Sequence, residues 1–260
     1  RKSISKALEK LIEIPEWINK DILKKNNWRP WQQTVELLHR PKELNDEKIK
    51  IDISNIINEN KKITLKNSGK KFRYIVLDNF LDLKALDKLF SFCLTNSIWN
   101  EFDYKNGYIG SFIENGFNAP LILQISEEIR LQYPEILKKF PLTKAWAFKC
   151  NNQMKGIKIH ADYATININF WITPDKANLN KNTGGLLIWD KEAPKNWDFE
   201  KYNNNHQEIK KYLKKKKSKM KRIKYKSNRV IIFNSDLFHA SDNFNFKKNY
   251  ENRRINITFL

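Results

Sequence analysis

Residues 157–171, IKIHADYATININFW, place His160 and Asp162 two positions apart inside a run that alternates apolar and polar side chains. Residues i and i+2 of a strand face the same side, so an imidazole and a carboxylate at this spacing can reach one cation. The partner that completes such a set is His239, 77 residues after Asp162 and at the end of a second strand-like run, 229–233. Two imidazoles and one carboxylate on one face of an ion leave its other face open, which suits non-haem Fe(II) and dioxygen chemistry. A lone His-x-Asp is weak evidence. It gains weight because the chain has only four histidines, and two of them occupy these positions.

The same alternation defines two faces. After the His-x-Asp pair, Thr165, Asn167 and Asn169 oppose Ile166, Ile168 and Phe170; in the final run, Arg254, Asn256 and Thr258 oppose Ile255, Ile257 and Phe259. Apolar rows packed on covering helices would leave the polar rows lining an inner chamber. An arginine at the mouth of such a row is suited to a dicarboxylate, because its planar fork grips a carboxylate through two hydrogen bonds. Parity selects Arg254, since Arg253 shares the isoleucine face.

The rest of the chain reads as support for these strands. Over 6–40 apolar residues recur at helical spacing, punctuated by Pro15, Pro30 and Pro41, and His39 falls in a last helical turn as a surface or capping residue. Residues 42–71 are polar and lysine-rich. We therefore expect a helical N-terminal extension over 1–70 and a catalytic domain over 71–260. Residues 72–80 read as a strand, 82–95 as a helix capped by Asp82 with Leu86, Leu89 and Phe90 on its apolar face, and 121–131 as another helix. The segment 99–120, with Gly107, Gly110 and Gly116 among aromatics, reads as loop-rich and close to a pocket mouth. From Lys144 onward short strands separated by turns suggest a jelly roll or barrel, with Gly184 and Gly185 turning the chain into a further strand. An insertion is expected over 190–228, holding Trp197, Tyr202, a surface His206 and a polybasic run, 210–222, that reads as a solvated helix.

No apolar stretch approaches the roughly 20 residues that span a bilayer, and no signal-peptide pattern opens the chain, so a cytoplasmic location without membrane insertion is expected. Beginning at Arg1 and ending at Leu260 inside an apolar strand pattern, the sequence reads as a piece trimmed from something longer. Cys93 and Cys150 form no metal-ligand pair and read as buried thiols. The net charge of +20 invites an acidic partner such as nucleic acid. Joint enrichment in Lys, Asn and Ile offers the competing, compositional explanation. Because the lysines are not interleaved with aromatics in one patch, nucleic acid takes second place.

Taken in order, His160-x-Asp162, Gly184-Gly185, His239 and Arg254-x-Asn256 resemble the Fe(II)- and 2-oxoglutarate-dependent oxygenases. The resemblance covers roughly 72–260. The strings WITPDKANLN, GGLLIWDKEAP and YENRRINITFL look like a bacterial group of such oxygenases whose substrates are uncharacterised. It implies a double-stranded β-helix core, related to the jelly roll and cupin, backed by helices in a mainly β, α+β architecture. His160, Asp162 and His239 would hold iron, Arg254 would pair with the distal carboxylate of 2-oxoglutarate, and Asn256, Asn167 and Asn169 would donate hydrogen bonds to it. The implied activity is a dioxygenase that hydroxylates a C–H bond of a small molecule or peptide side chain, with succinate and CO2 as coproducts. Its partners would be 2-oxoglutarate, dioxygen and an organic substrate that the motifs do not specify. Related halogenases carry a small residue where Asp162 stands, so the carboxylate points to hydroxylation. Two alternatives stay open: a nucleic-acid demethylase of the same superfamily, weakened because Leu260 stands where those enzymes carry a second arginine, and a non-catalytic binding module that retains the fold.

Overall fold

Strict alternation along the long strands decides how the chain layers, because each strand must satisfy a dry helical cover on one side and a polar chamber on the other. The computed structural model describes residues 74–102, 104 and 107–260. The expected N-terminal extension, its boundary near residue 70 and His39 lie outside the described residues. The first half contains β1 (Tyr74–Leu77), α1 (Leu83–Thr95), β2 (Tyr108–Phe112), α2 (Pro120–Gln132), α3 (Pro134–Leu137), β3 (Ala145–Cys150), β4 (Gln153–Met154) and β5 (Ile166–Trp171). The second half contains β6 (Leu186–Glu192), α4 (His206–Lys215), β7 (Met220–Ile223), β8 (Arg229–Asn234), β9 (Leu237–Ser241), β10 (Phe244–Asn245) and β11 (Ile255–Phe259).

Six strands form one antiparallel sheet in the order β1-β8-β5-β11-β3-β2, and a smaller sheet runs β7-β6-β9 beside the separate pair β10-β4. The chain passes back and forth between the large and small layers: β3 to β4, β5 to β6, β8 to β9 and β10 to β11. That alternation is the double-stranded β-helix, and the helices make the whole mainly β with flanking α. Trp171, Ile231 and Phe233 of the large sheet pack against Leu186, Ile188 and Phe244 of the small layer, so the two inner faces share one core. The opposite face of the large sheet presents Ile168, Phe170, Val230, Ile232, Ile255 and Ile257 to Ala85 and Leu89 of α1 and Ile122, Ile125 and Ile129 of α2.

Local chemistry sets the elements. The Asp82 carboxylate accepts the Ala85 N–H at 2.7 Å and caps α1, an interaction worth about 1 kcal/mol. Pro120 occupies the first turn of α2, where its missing N–H costs nothing. Leu89 of the expected apolar face is fully buried; Leu86 and Phe90 pack at the margin, and Ala85, Phe92 and Cys93 complete the interior side. Both cysteines are free and buried. Gly185 sits so close to β7 that a Cβ there would lie 2.0 Å from the Ile223 carbonyl oxygen, so only glycine lets β6 begin here.

Three expectations change. The glycine- and aromatic-rich segment 99–120 contributes β2, an edge strand paired with β3. The polybasic run 210–222 is half helix and half strand: the chain turns at Lys217, whose φ is 48°, and Met220–Ile223 then pairs with β6. His206 is partly buried and its Nδ1 lies 2.9 Å from the Ile159 carbonyl oxygen, so it ties α4 to the segment before His160 rather than standing free on the surface.

Phe170 is 1% exposed and sits edge-on between Phe80 and Phe259, each ring centroid 5.4 Å away. Phe170→Ala should cost about 3–5 kcal/mol in urea unfolding, because a cavity opens and two rings lose their common partner. Asp78, just after β1, accepts Arg229 Nε at 2.6 Å and Lys226 Nζ at 2.9 Å, pinning the edge strand to its neighbour. The Arg229 hydrogen bond holds its carboxyl at about 2, below the ordinary 3.8. Its contribution is therefore complete above about pH 4 and is lost as pH falls through 2. Urea midpoints measured down to pH 2 should fall less steeply for Asp78→Asn than for the parent; superimposable profiles would contradict this.

Candidate metal centre

Sheet closure brings His160 and His239 together. His160 donates its amide to the His239 carbonyl at 2.9 Å, and His239 donates back to His160 at 2.8 Å, a two-residue antiparallel bridge that adds the 160 position to the edge of β9. The run 157–171 is thus two pieces. His160 belongs to the small layer, residues 161–165 turn, and β5 belongs to the large sheet. His239 lies within its own strand, β9, one sheet away from the 229–233 run that precedes it. Asp162 reaches the histidines from the turn, its amide bonded to the Ser235 carbonyl at 3.3 Å. The i, i+2 spacing produces convergence here through a bend rather than through strand pleating.

The ligand-capable atoms of His160, Asp162 and His239 all lie within 4.8 Å of one another. His160 Nε2 is 3.6 Å from Asp162 Oδ1, and His239 Nε2 is 3.2 Å from Asp162 Oδ2. On the far side of each ring, Nδ1 faces a backbone carbonyl two residues earlier: Lys158 at 2.7 Å for His160 and Leu237 at 2.9 Å for His239. With Nδ1–H donating to a carbonyl, Nε2 carries the lone pair, the tautomer a metal needs. Burial, reinforced by the neighbouring His239, pushes the His160 imidazole down and favours its neutral form. Burial alone would push the Asp162 carboxyl up; the His160 and His239 imidazoles and the Asn167 amide outweigh it and hold it at about 2. The set offers one carboxylate and two imidazole nitrogens, a sound donor set for a divalent cation.

Asn167, Asn169 and Asn256 form a relay leading away from Asp162. Asn167 Nδ2 donates to Asp162 Oδ2 at 2.6 Å, Asn169 Nδ2 to Asn167 Oδ1 at 2.7 Å, and Asn256 Nδ2 to Asn169 Oδ1 at 2.8 Å. Thr258 joins at 3.3 Å from Asn169 Oδ1. Two positions beyond Asn256 lies Arg254, 2% exposed. Its Nε donates to the Gly184 carbonyl at 2.8 Å, and its guanidinium carbon sits 5.0 Å from the Phe244 ring and 5.7 Å from the Trp171 ring. Its Nη2 has no partner, and no carboxylate among the described residues pairs with it. A buried guanidinium without a counter-ion is costly, and a carboxylate would satisfy it through two parallel hydrogen bonds.

Sequence parity puts Arg254 and the asparagines on the inward face, and all four are buried or half-buried. It missed Trp171 and Phe244, which flank Arg254, although Trp171 shares the parity of Asn167 and Asn169. Also missed was a cleft of about 720 Å³ that reaches Asp162 and is lined by Tyr163, Pro194, Trp197, Tyr202, Arg130 and Phe140. It draws on residues 193–202 and on the α2–β3 connection, while none of 99–120, expected near a pocket mouth, lines it.

No protein-family model and no curated protein matches the sequence. Among solved structures, the non-haem α-ketoglutarate-dependent epimerase SnoN from nogalamycin biosynthesis aligns with a TM-score of 0.51 at 11% identity, over 72% of this chain and 77% of that one. The non-haem α-ketoglutarate-dependent carbocyclase SnoK, also from nogalamycin biosynthesis, gives 0.50 at 10% identity, over 79% and 85%. The chain accordingly shares the fold of these two non-haem α-ketoglutarate-dependent enzymes.

Proposed function

We propose that the protein is an Fe(II)- and 2-oxoglutarate-dependent dioxygenase that hydroxylates a C–H bond of an organic substrate. The observation that carries this reading is the pairing of two features joined by the Asn167, Asn169 and Asn256 relay: a His-Asp-His donor set, and two positions before Asn256 a buried guanidinium with an unpartnered Nη2. His160, Asp162 and His239 would hold the metal, and Arg254 would take the distal carboxylate of 2-oxoglutarate. When bound, iron and 2-oxoglutarate together supply the oxidising power that activates dioxygen, with succinate and CO2 as coproducts.

The residues of the chain do the positioning. The Lys158 and Leu237 carbonyls fix the imidazole tautomers, and Asn167 fixes the Asp162 carboxylate, so the donors are oriented before anything binds. Gly184 together with the Phe244 and Trp171 rings holds the Arg254 fork in one place. Phe233, fully buried, packs edge-on against the His239 ring at 4.9 Å and keeps that side of the imidazole dry. The substrate would occupy the cleft that opens on Asp162, where Tyr163, Trp197 and Tyr202 offer aromatic surface and Lys144 and Lys195 offer cationic rim. Retention of a carboxylate at Asp162 fills the coordination position that a halide would need and favours hydroxylation.

His160→Ala and Asp162→Ala should each abolish Mn(II) or Fe(II) binding in isothermal titration while the far-ultraviolet circular dichroism stays that of the parent; full metal occupancy in either variant would refute the assignment. Asn167→Ala should weaken metal binding by about 10–100-fold without removing a ligand. Arg254→Ala should weaken 2-oxoglutarate binding by about 100-fold or more, since two charge-assisted hydrogen bonds go, and Arg254→Lys should recover only part of it.

A further inference from the structure

A second cleft, of about 460 Å³, lies on the outer face of the small sheet beneath α4. Lys155, Lys158, Lys210 and Lys214 line it, over a floor that includes Trp189 and Leu187. No Asp or Glu lines this cleft; Asp198, Glu200 and Glu208 line a neighbouring depression that shares Lys158 and Lys210. None of the four ammonium groups has a hydrogen-bond or ion-pair partner among the described residues. The cationic surface continues past the cleft along exposed Lys211, Lys215, Lys217, Lys219 and Lys221, through the end of α4 and onto the edge strand β7. So much like charge in one place costs the fold through self-repulsion, and a polyanion relieves it.

We infer that this cleft and the basic strip leading from it form a binding surface for single-stranded nucleic acid, with a base entering the cleft over Trp189 and the phosphates running along the lysines. The volume suits a nucleotide-sized group, and a cationic groove with an aromatic floor is the combination that single strands use. A duplex, with its bases stacked inside, would meet the lysines and leave the floor empty. A lipid surface fits less well, because the apolar side of α4, Ile209 and Leu213, is already buried against Ile159, Phe238 and Ala240. Met220 is the one large apolar side chain exposed on α4 and β7. A membrane-binding helix needs that face free.

The test is fluorescence anisotropy of a labelled single-stranded oligonucleotide of about 20 nucleotides against the full chain over a salt series. Four lysines on four phosphates should give a log–log salt slope of about −3 or steeper. Exchanging Lys155, Lys158, Lys210 and Lys214 together for Gln should weaken binding by at least about tenfold at low salt and flatten that slope by about 3. Trp189→Leu should weaken binding by about fivefold or more with the slope unchanged. A control exchanging exposed Lys84, Lys138, Lys139 and Lys176 for Gln removes the same charge elsewhere and should leave affinity within about twofold. Should the quadruple variant fail to match the parent's circular dichroism, the exposed pair Lys210→Gln and Lys214→Gln carries the same test with half the slope change. Absence of salt-sensitive binding, equal loss in the control, or stronger binding to a duplex of equal length or to phosphatidylserine vesicles would each overturn the proposal.

Discussion

The reciprocal amide bridge between His160 and His239 is the contact on which the candidate centre depends. It joins two segments far apart in the chain and sets their Cα positions at antiparallel distance. From there each ring is placed by a local device used twice, an Nδ1 bond to the carbonyl two residues earlier. Extended backbone puts that carbonyl within reach without any long-range partner. Register therefore delivers the two Nε2 atoms to one place, and a turn, rather than a strand, swings Asp162 between them. A one-residue slip of β9 against 160 would turn one imidazole out of the chamber, so the register that holds the small sheet also holds the donor set.

The same parity explains why the fold tolerates polar groups inside. On β5 and β11 every second side chain packs on helices, and the intervening ones would be orphaned if they faced another dry layer. They bond to one another instead: Asp162, Asn167, Asn169, Asn256 and Thr258 form a continuous relay across two strands. At Arg254 the accounting stays open, with one carbonyl, two ring faces and an unpartnered Nη2 around a buried charge, as it does at Nε1 of the adjoining Trp171. Native interiors seldom leave such a group unsatisfied, and a carboxylate would satisfy this one through two parallel hydrogen bonds.

How much of this was legible in sequence follows from range. Parity along a single strand is a local property, so the inward rows of β5 and β11, the choice of Arg254 over Arg253 and the capping of α1 by Asp82 could all be read from spacing. The break at 161–165 could not, because the alternating pattern runs on through it while the chain changes sheets. Nor could β7, since MKRI carries little apolar signal and becomes a strand only because the edge of β6 is available to it. Trp171 and Phe244 meet Arg254 through the closure of two layers, a juxtaposition with no sequence spacing. The helical reading of 210–222 failed at Lys217, where a positive φ, which sequence does not announce for lysine, ends α4.

The donor set and the cleft beside it are built at different levels of the structure. The donor set and Arg254 project from paired strands or from a turn pinned to them, where hydrogen-bond register tolerates little change. Much of the 720 Å³ cleft is walled by connections, 161–165, 193–197 and 140–144, beside Ile166, Ile168 and Phe259 of the large sheet. Asp162 is where the two meet: it belongs to the donor set and to the cleft lining at once. A group seated against Tyr163 and Trp197 would lie beside the carboxylate while Asn167, on the sheet side, keeps that carboxylate turned toward the histidines. Loop variation can thus reshape what enters without disturbing the atoms that would hold the metal, because the force that orients Asp162 comes from β5 and not from the cleft.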